Sequence, residues 1–171
     1  MKILVVITTA FTSTGGLTTV MMNYYLAMNQ EGLKIDFAST NVPSQSLLDE
    51  IHVEGSEYYQ LPPRKKIVSY FYRLRRLCKN YDLLHVHGNS STSVLELMAA
   101  NWAGVKRRIV HNHTSRSQHP WINLLLHPFF LMSYTKAIAC SDAAGEWLFG
   151  NKQYQILRNA IKVSCFHYDV S

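Results

Sequence analysis

Leu83-Leu84-His85-Val86-His87-Gly88 and Ile109-Val110-His111-Asn112-His113-Thr114-Ser115 each open apolar and close in small polar residues. Runs of this kind read as strands buried in a parallel sheet, and their polar ends fall where open α/β sheets place ligands, outside the carboxyl ends of the strands. Side chains alternate along a strand, so His85 and His87 share one sheet face, as do His111 and His113. The later member of each pair lies nearer the loop. His87 and His113 are therefore site candidates, while His85 and His111 read as hydrogen-bonded structural histidines.

Outward from these runs the chain keeps a strand-helix rhythm. Ile3 to Ile7 reads as a first strand, followed by a loop from Ala10 and by Gly15-Gly16. Leu17, Val20, Met21, Tyr24 and Met28 then recur at helical spacing. Leu33 to Ser39 and Tyr58 to Leu61 read as strands, the second at an edge, with an amphipathic segment through Leu47, Leu48 and Ile51 between them. From Lys66 to Asn80, Ile67, Tyr70, Phe71, Leu74, Leu77 and Cys78 share a face. A helix through Val94, Leu95, Met98 and Trp102 separates the two histidine runs. Trp121 to Tyr134 is apolar and interrupted by Pro128; Ala137 to Cys140 is a short strand before a helix capped by Ser141, and Tyr154 to Leu157 is the last strand. This alternation predicts an α/β fold, a Rossmann-like doubly wound parallel sheet with helices over both faces.

With 171 residues and 47% hydrophobic content, the chain is expected to form one domain over 1–160, with 161–171 a linker or docking tail. Its formal net charge of +6 favours an acidic partner. Cys78, Cys140 and Cys165 are odd in number and widely spaced, which matches neither a disulfide framework nor a zinc finger and suits a reducing compartment. Residues 1–7 are too short for a secretory signal, and no apolar window is long enough to span a bilayer. The expected location is cytoplasmic.

Gly15-Gly16 before a helix offers backbone N–H groups to a phosphate, although it is neither G-x-G-x-x-G nor a Walker loop. The run His113-Thr114-Ser115-Arg116-Ser117 supplies donors of several shapes, suited to sugar hydroxyls or phosphate oxygens. Paired imidazoles can bind zinc, yet Ser90 to Ser93 and Thr114 to Ser117 add no carboxylate, so no metal site is expected. Seven Lys or Arg between Arg64 and Lys79, with no carboxylate from Tyr58 through Tyr81, make one helix face strongly basic. Through Lys66, Arg73, Arg75, Arg76 and Lys79 that face suits either solvent or an anionic membrane surface. Trp121, Leu124 to Leu126, Phe129 and Phe130 suit either the same interface or burial against the sheet. No known RNA-binding motif accompanies the charge, and no nucleic-acid partner is expected.

Taken in order, Gly15-Gly16, Asp82 to His87, Ala99-Ala100, Gly104-Val105, His113-Thr114, Ala139-Cys140-Ser141 and Ile156 to Ile161 resemble the amino-terminal domain of retaining GT-B glycosyltransferases of family 4. Ala160 stands where that family usually has glycine. The resemblance implies transfer of a sugar from a nucleotide-sugar donor to an acceptor hydroxyl, with retained configuration, in a cleft between two Rossmann-like domains. It implies a donor-diphosphate contact for Gly15 and Gly16 and a catalytic contact for His113. His87, Asn112, Thr114, Arg116 and Ser141 become candidates for contact with acceptor or sugar. No cofactor and no catalytic metal are implied.

The family's carboxyl-terminal half, with its basic pair and two glutamates, has no counterpart here. The chain is thus expected to be an acceptor-side half, inactive alone, completed by a second domain or a partner subunit. A saccharide or lipid-linked acceptor in surface polysaccharide synthesis, at the inner face of a membrane, is the expected setting. Two alternatives stand beside it: a non-catalytic sugar- or nucleotide-binding module, and a metal-dependent hydrolase built on the histidine pairs.

Overall fold

The computed structural model describes residues 1–29, 32–53, 55–116 and 120–159. The expected linker 161–171 lies outside them, as do Ser117, Ala160 and Cys165. Along the chain run β1 (Lys2–Ile7), α1 (Gly16–Asn29), β2 (Lys34–Ser39), α2 (Gln45–Val53), β3 (Tyr58–Gln60), α3 (Ile67–Cys78) and β4 (Leu83–His87). A 3₁₀ turn (Ser91–Ser93) leads into α4 (Val94–Ala103), followed by β5 (Arg107–Asn112), α5 (Pro120–Leu131), β6 (Lys136–Ala139), α6 (Asp142–Phe149) and β7 (Gln155–Ile156). The strands form one seven-stranded sheet in the order β3-β2-β1-β4-β5-β6-β7. Every neighbouring pair is parallel. This is the Rossmann-like sheet that the alternation predicted.

Right-handed crossovers decide which face each helix covers. Chain travel from β1 out to β3 puts α1 and α2 on one face, where Met21, Met22, Tyr25, Leu47 and Ile51 pack on Ile3, Val5, Ile7, Ile35 and Phe37. The return to β4 and onward to β7 puts α3 to α6 on the other, where Tyr70, Leu74, Leu97, Phe130 and Leu148 cover Leu4, Val6, Leu84, Val86, Val110 and Ala137. The two faces differ in cover. Over β4, β5 and β6 the α1 face carries His85, Ile109 and Ile138 only half-buried. Helices lie over both faces, as the alternation predicted, and on the α1 face they cover mainly the β1 side among the described residues.

Helix α3 buries Tyr70, Leu74 and Cys78. Ile67 lies on the same angular face but is exposed, so the first turn projects past the core. Burial pushes the Cys78 thiol up to about 12, leaving it an inert apolar group. Glu96 of α4 is fully buried against this helix. It accepts from Tyr70 Oη at 2.7 Å and pairs with Arg64 at 3.0 Å, which together offset its loss of water. Gly104 ends α4 at φ 91°, a left-handed position that suits glycine.

Helix α5 continues through Pro128 rather than breaking there. Pro128 has no N–H for the Leu124 carbonyl, and both residues are exposed, so that carbonyl is not left unpaired in the core. Its apolar side chains divide sharply. Phe130 is buried in the core, whereas Trp121 is 82% and Leu125 72% exposed, with Leu124, Phe129 and the following Met132 also open to solvent.

Candidate functional site

The carboxyl ends of β1, β4 and β5 continue one another's hydrogen bonding beyond the strands. Thr8 N donates to His87 O at 3.1 Å and Gly88 N to His111 O at 3.1 Å. Thr8 Oγ1 also donates to His87 O, at 3.0 Å. A Cβ on Gly88 would lie 2.1 Å from Ser93 Oγ and 3.3 Å from Thr8 Oγ1, so β4 leaves the sheet hard against the 3₁₀ turn. Ser91 N of that turn donates to Asn123 Oδ1 of α5 at 2.7 Å. Neither Gly88 nor Asn123 was singled out from the sequence. A glycine directly after a candidate histidine was the available signal for the first; nothing local marks the second.

Gly15 and Gly16 follow the loop that leaves β1. Gly15 N donates to Thr12 O at 3.0 Å, and a Cβ at Gly15 would approach Thr12 Oγ1 to 3.1 Å and Thr18 Oγ1 to 3.2 Å. Gly16 opens α1, and a Cβ there would meet nothing within 4 Å. The amino end of α1 therefore presents backbone donors with open ground before them, the arrangement that suits an anion.

Four imidazoles sit together on the α1 face. His87 and His111 are register partners on β4 and β5, with His85 and His113 two residues along on either side. His87 Nδ1 lies 2.9 Å from His113 Nε2, one ring donating and the other accepting. Ring centroids are 4.3 Å apart for His85 and His87, 5.0 Å for His87 and His111, and 4.0 Å for His111 and His113. His111 is 1% exposed. Loss of water favours the neutral form of each: burial holds His85 and His113 down to about 4 and His111 down to about 2, and lowers His87 as well. One ligand nitrogen from each of His85, His87 and His111 falls within 4.8 Å of the others.

The remaining candidates divide between inward and outward. Asn112 is fully buried, donating through Nδ2 to Thr114 O and to Ala144 O, each at 2.7 Å, which ties the end of β5 to α6. Ser141 caps α6, its Oγ accepting from Ala144 N at 3.3 Å. Thr114 and His113 are half-buried and Arg116 is exposed at the mouth of the loop, its backbone N donating to Thr114 Oγ1 at 3.2 Å. His87 is buried behind His113. Of the basic residues on and before α3, Lys65, Lys66, Arg73, Arg76 and Lys79 are exposed, whereas Arg75 is half-buried and donates to Trp102 O. No helix among the described residues is long and apolar enough to cross a membrane.

Known proteins share this architecture. Anabaena Alr3699/HepE, solved in complex with UDP-glucose, superposes with a TM-score of 0.75 over 99% of this chain at 13% identity. MurG of Acinetobacter baumannii does so with 0.65 over 95%, also at 13% identity. This chain covers 47% and 46% of those proteins, respectively, and its sheet is one half of a GT-B architecture. The putative glycosyltransferase EpsF of Bacillus subtilis (strain 168) is 25% identical across 89% of this chain, which spans 44% of that relative. Residues 14–162, which take in every element from α1 to β7, match Glycosyltransferase Family 4, and the chain belongs to that family.

Proposed function

We propose that this chain is the acceptor-side half of a retaining glycosyltransferase. It acts with a donor-binding half to move a sugar from a nucleotide-sugar to a saccharide or lipid-linked acceptor in surface polysaccharide synthesis. The observation that carries the reading is the delivery of an open helix amino end, a half-buried histidine and a hydroxyl-rich loop to one edge of the sheet. Family membership supports the transferase class, and the relatives' greater length supports a second half.

In this reading, Gly15 and Gly16 let the donor diphosphate approach the amino end of α1, where the partial positive charge of the helix receives it. His113, with Nε2 turned back to His87, has Nδ1 left for the transferred sugar or its phosphate. Held neutral by burial, it donates or accepts one hydrogen bond without adding charge. Thr114 and Arg116 stand in front of it for hydroxyl and phosphate oxygens. Asn112 and Ser141 hold the loop and α6 in place behind. The transfer needs no metal: fixed donors stabilise the departing nucleotide.

The test is His113→Ala in the protein joined to its donor half. Turnover falls on the order of 100-fold, the range expected for loss of one preorganised donor, while the circular dichroism spectrum is unchanged. Wild-type turnover in a folded variant overturns the assignment.

The same reading rests the domain on the anionic inner face of a membrane. Lys66, Arg73, Arg75, Arg76 and Lys79 supply the charge, at about 1 kcal/mol for each cation near the surface. The exposed apolar side chains of α5 supply the insertion. Neutralising Arg73, Arg76 and Lys79 weakens sedimentation with anionic vesicles, and Trp121→Ser with Leu125→Ser weakens it further. Unchanged sedimentation in both variants reduces these faces to solvated surface.

A further inference from the structure

We propose that His85, His87 and His111 form a three-imidazole site for a divalent late-transition-metal ion such as zinc, with its fourth position open to the cavity beneath α1. The inference goes beyond glycosyl transfer and does not depend on it.

Its basis is a failure of ordinary hydrogen bonding. Buried ring nitrogens in folded proteins almost always find partners. Here neither Nδ1 nor Nε2 of His111 has one, and Nε2 of His85 is buried without one. The three side chains line a cavity of about 280 Å³, whose other walls include Met21, Tyr24, Leu33, Ile109 and Leu157. Tyr24 and Tyr25 bring hydroxyls to this lining, but these bond Arg158 O and Ser56 Oγ, and the other walls named are apolar.

A metal ion resolves the mismatch. The three ligand nitrogens already lie within 4.8 Å of one another. Tetrahedral zinc with bonds near 2.05 Å separates its ligand nitrogens by about 3.3 Å. The difference is at most about 1.5 Å, within reach of imidazole rotation about χ2, a broad torsion. The strand register that makes His87 and His111 neighbours supplies the rest of the alignment. Neutral imidazoles without carboxylates suit zinc, nickel or copper and leave magnesium and calcium without their oxygen ligands.

Occupancy also reaches His113. With Nδ1 of His87 placed 2.9 Å from His113, Nε2 is the atom His87 has left for the ion. A metal-ligating histidine keeps its other nitrogen protonated and gives that proton to an outer partner. His87 Nδ1 then donates to His113 Nε2, which leaves the proton of His113 on Nδ1. The ion acts as a clamp between β4 and β5 that sets the tautomer of a neighbouring ring.

The chelator-treated 171-residue chain titrated with Co²⁺ reads the site directly. The expected result is the intense visible absorption of four-coordinate cobalt, saturating at one equivalent and displaced by Zn²⁺, with no response to Mg²⁺. His111→Gln and His85→Gln each abolish the band and weaken Zn²⁺ binding by at least the 10–100-fold that loss of even an outer-shell partner costs, roughly. His52→Gln, on the exposed side of α2, changes neither. Absence of the band in a chain with a native circular dichroism spectrum overturns the site, as does its persistence in both variants. So does its loss in His52→Gln. If His111→Gln does not fold, the half-exposed His85 variant decides. Cobalt binding without transfer activity, or transfer without binding, separates this proposal from the preceding one.

Discussion

A methyl group added at Gly88 has nowhere to go. The position is occupied by Ser93 Oγ at 2.1 Å, and Ser93 is itself buried in the 3₁₀ turn. Gly88→Ala is expected to cost about 1–3 kcal/mol, the usual range for overpacking, and to displace the end of β4 that carries His87. Urea unfolding measures the first effect; a change in the His87 and His113 imidazole NMR signals reports the second. At this scale the sequence was informative about kind and face. The period of two put His85 with His87 and His111 with His113, and the strand register then set both pairs on the same face. What it did not reveal is how deep each ring lies. His87, taken from the sequence as a loop-side candidate, is buried because its ring packs among those of His85, His111 and His113 on the α1 face.

At the scale of elements, α3 and α4 are held by a contact that no apolar pattern announces. Glu96 sits in a run of Leu, Met and Ala and breaks the hydrophobic reading of that helix, yet it is the residue that Arg64 and Tyr70 converge on. Arg64→Ala leaves a buried carboxylate with only the tyrosine, and the expected loss is about 3 kcal/mol. That is the low end for a broken buried pair, because the Arg64 side chain keeps 28% exposure. Arg64→Met with Glu96→Leu and Tyr70→Phe, which removes the hydroxyl that loss of Glu96 would orphan, is expected to recover most of the loss, and equal losses in the single and triple variants would show that the charge was never the problem. Helix α5 carries the opposite lesson. Its composition fits a buried helix, but it packs through Phe130 and leaves Trp121 and Leu125 outside. Composition cannot distinguish the two cases, since the side that faces the protein depends on which neighbours the sheet order provides.

At the scale of the molecule, the strand-helix alternation was enough to give a parallel doubly wound sheet, because parallel strands need crossovers and helices supply them. Strand order was not legible: nothing in the residues of β4 says that it lies beside β1 rather than β3. That order decides the cover, placing α1 and α2 over one half of a face and leaving His85, Ile109 and Ile138 half-open on the other.

An uneven dressing of the sheet sets the order in which its amides meet deuterium. Backbone groups in β1 are bonded to strands on both sides and shielded by helices above and below, whereas β7 is a two-residue margin with both residues exposed. Hydrogen exchange is expected to be slowest in β1 and β4, faster in β6 and fastest in β7. Equal protection across all four would mean that the bare half is shielded as well as the dressed one. On the expected gradient, fraying enters from the β7 margin, so the last strand and α6 loosen first while the rows bearing the imidazoles stay locked.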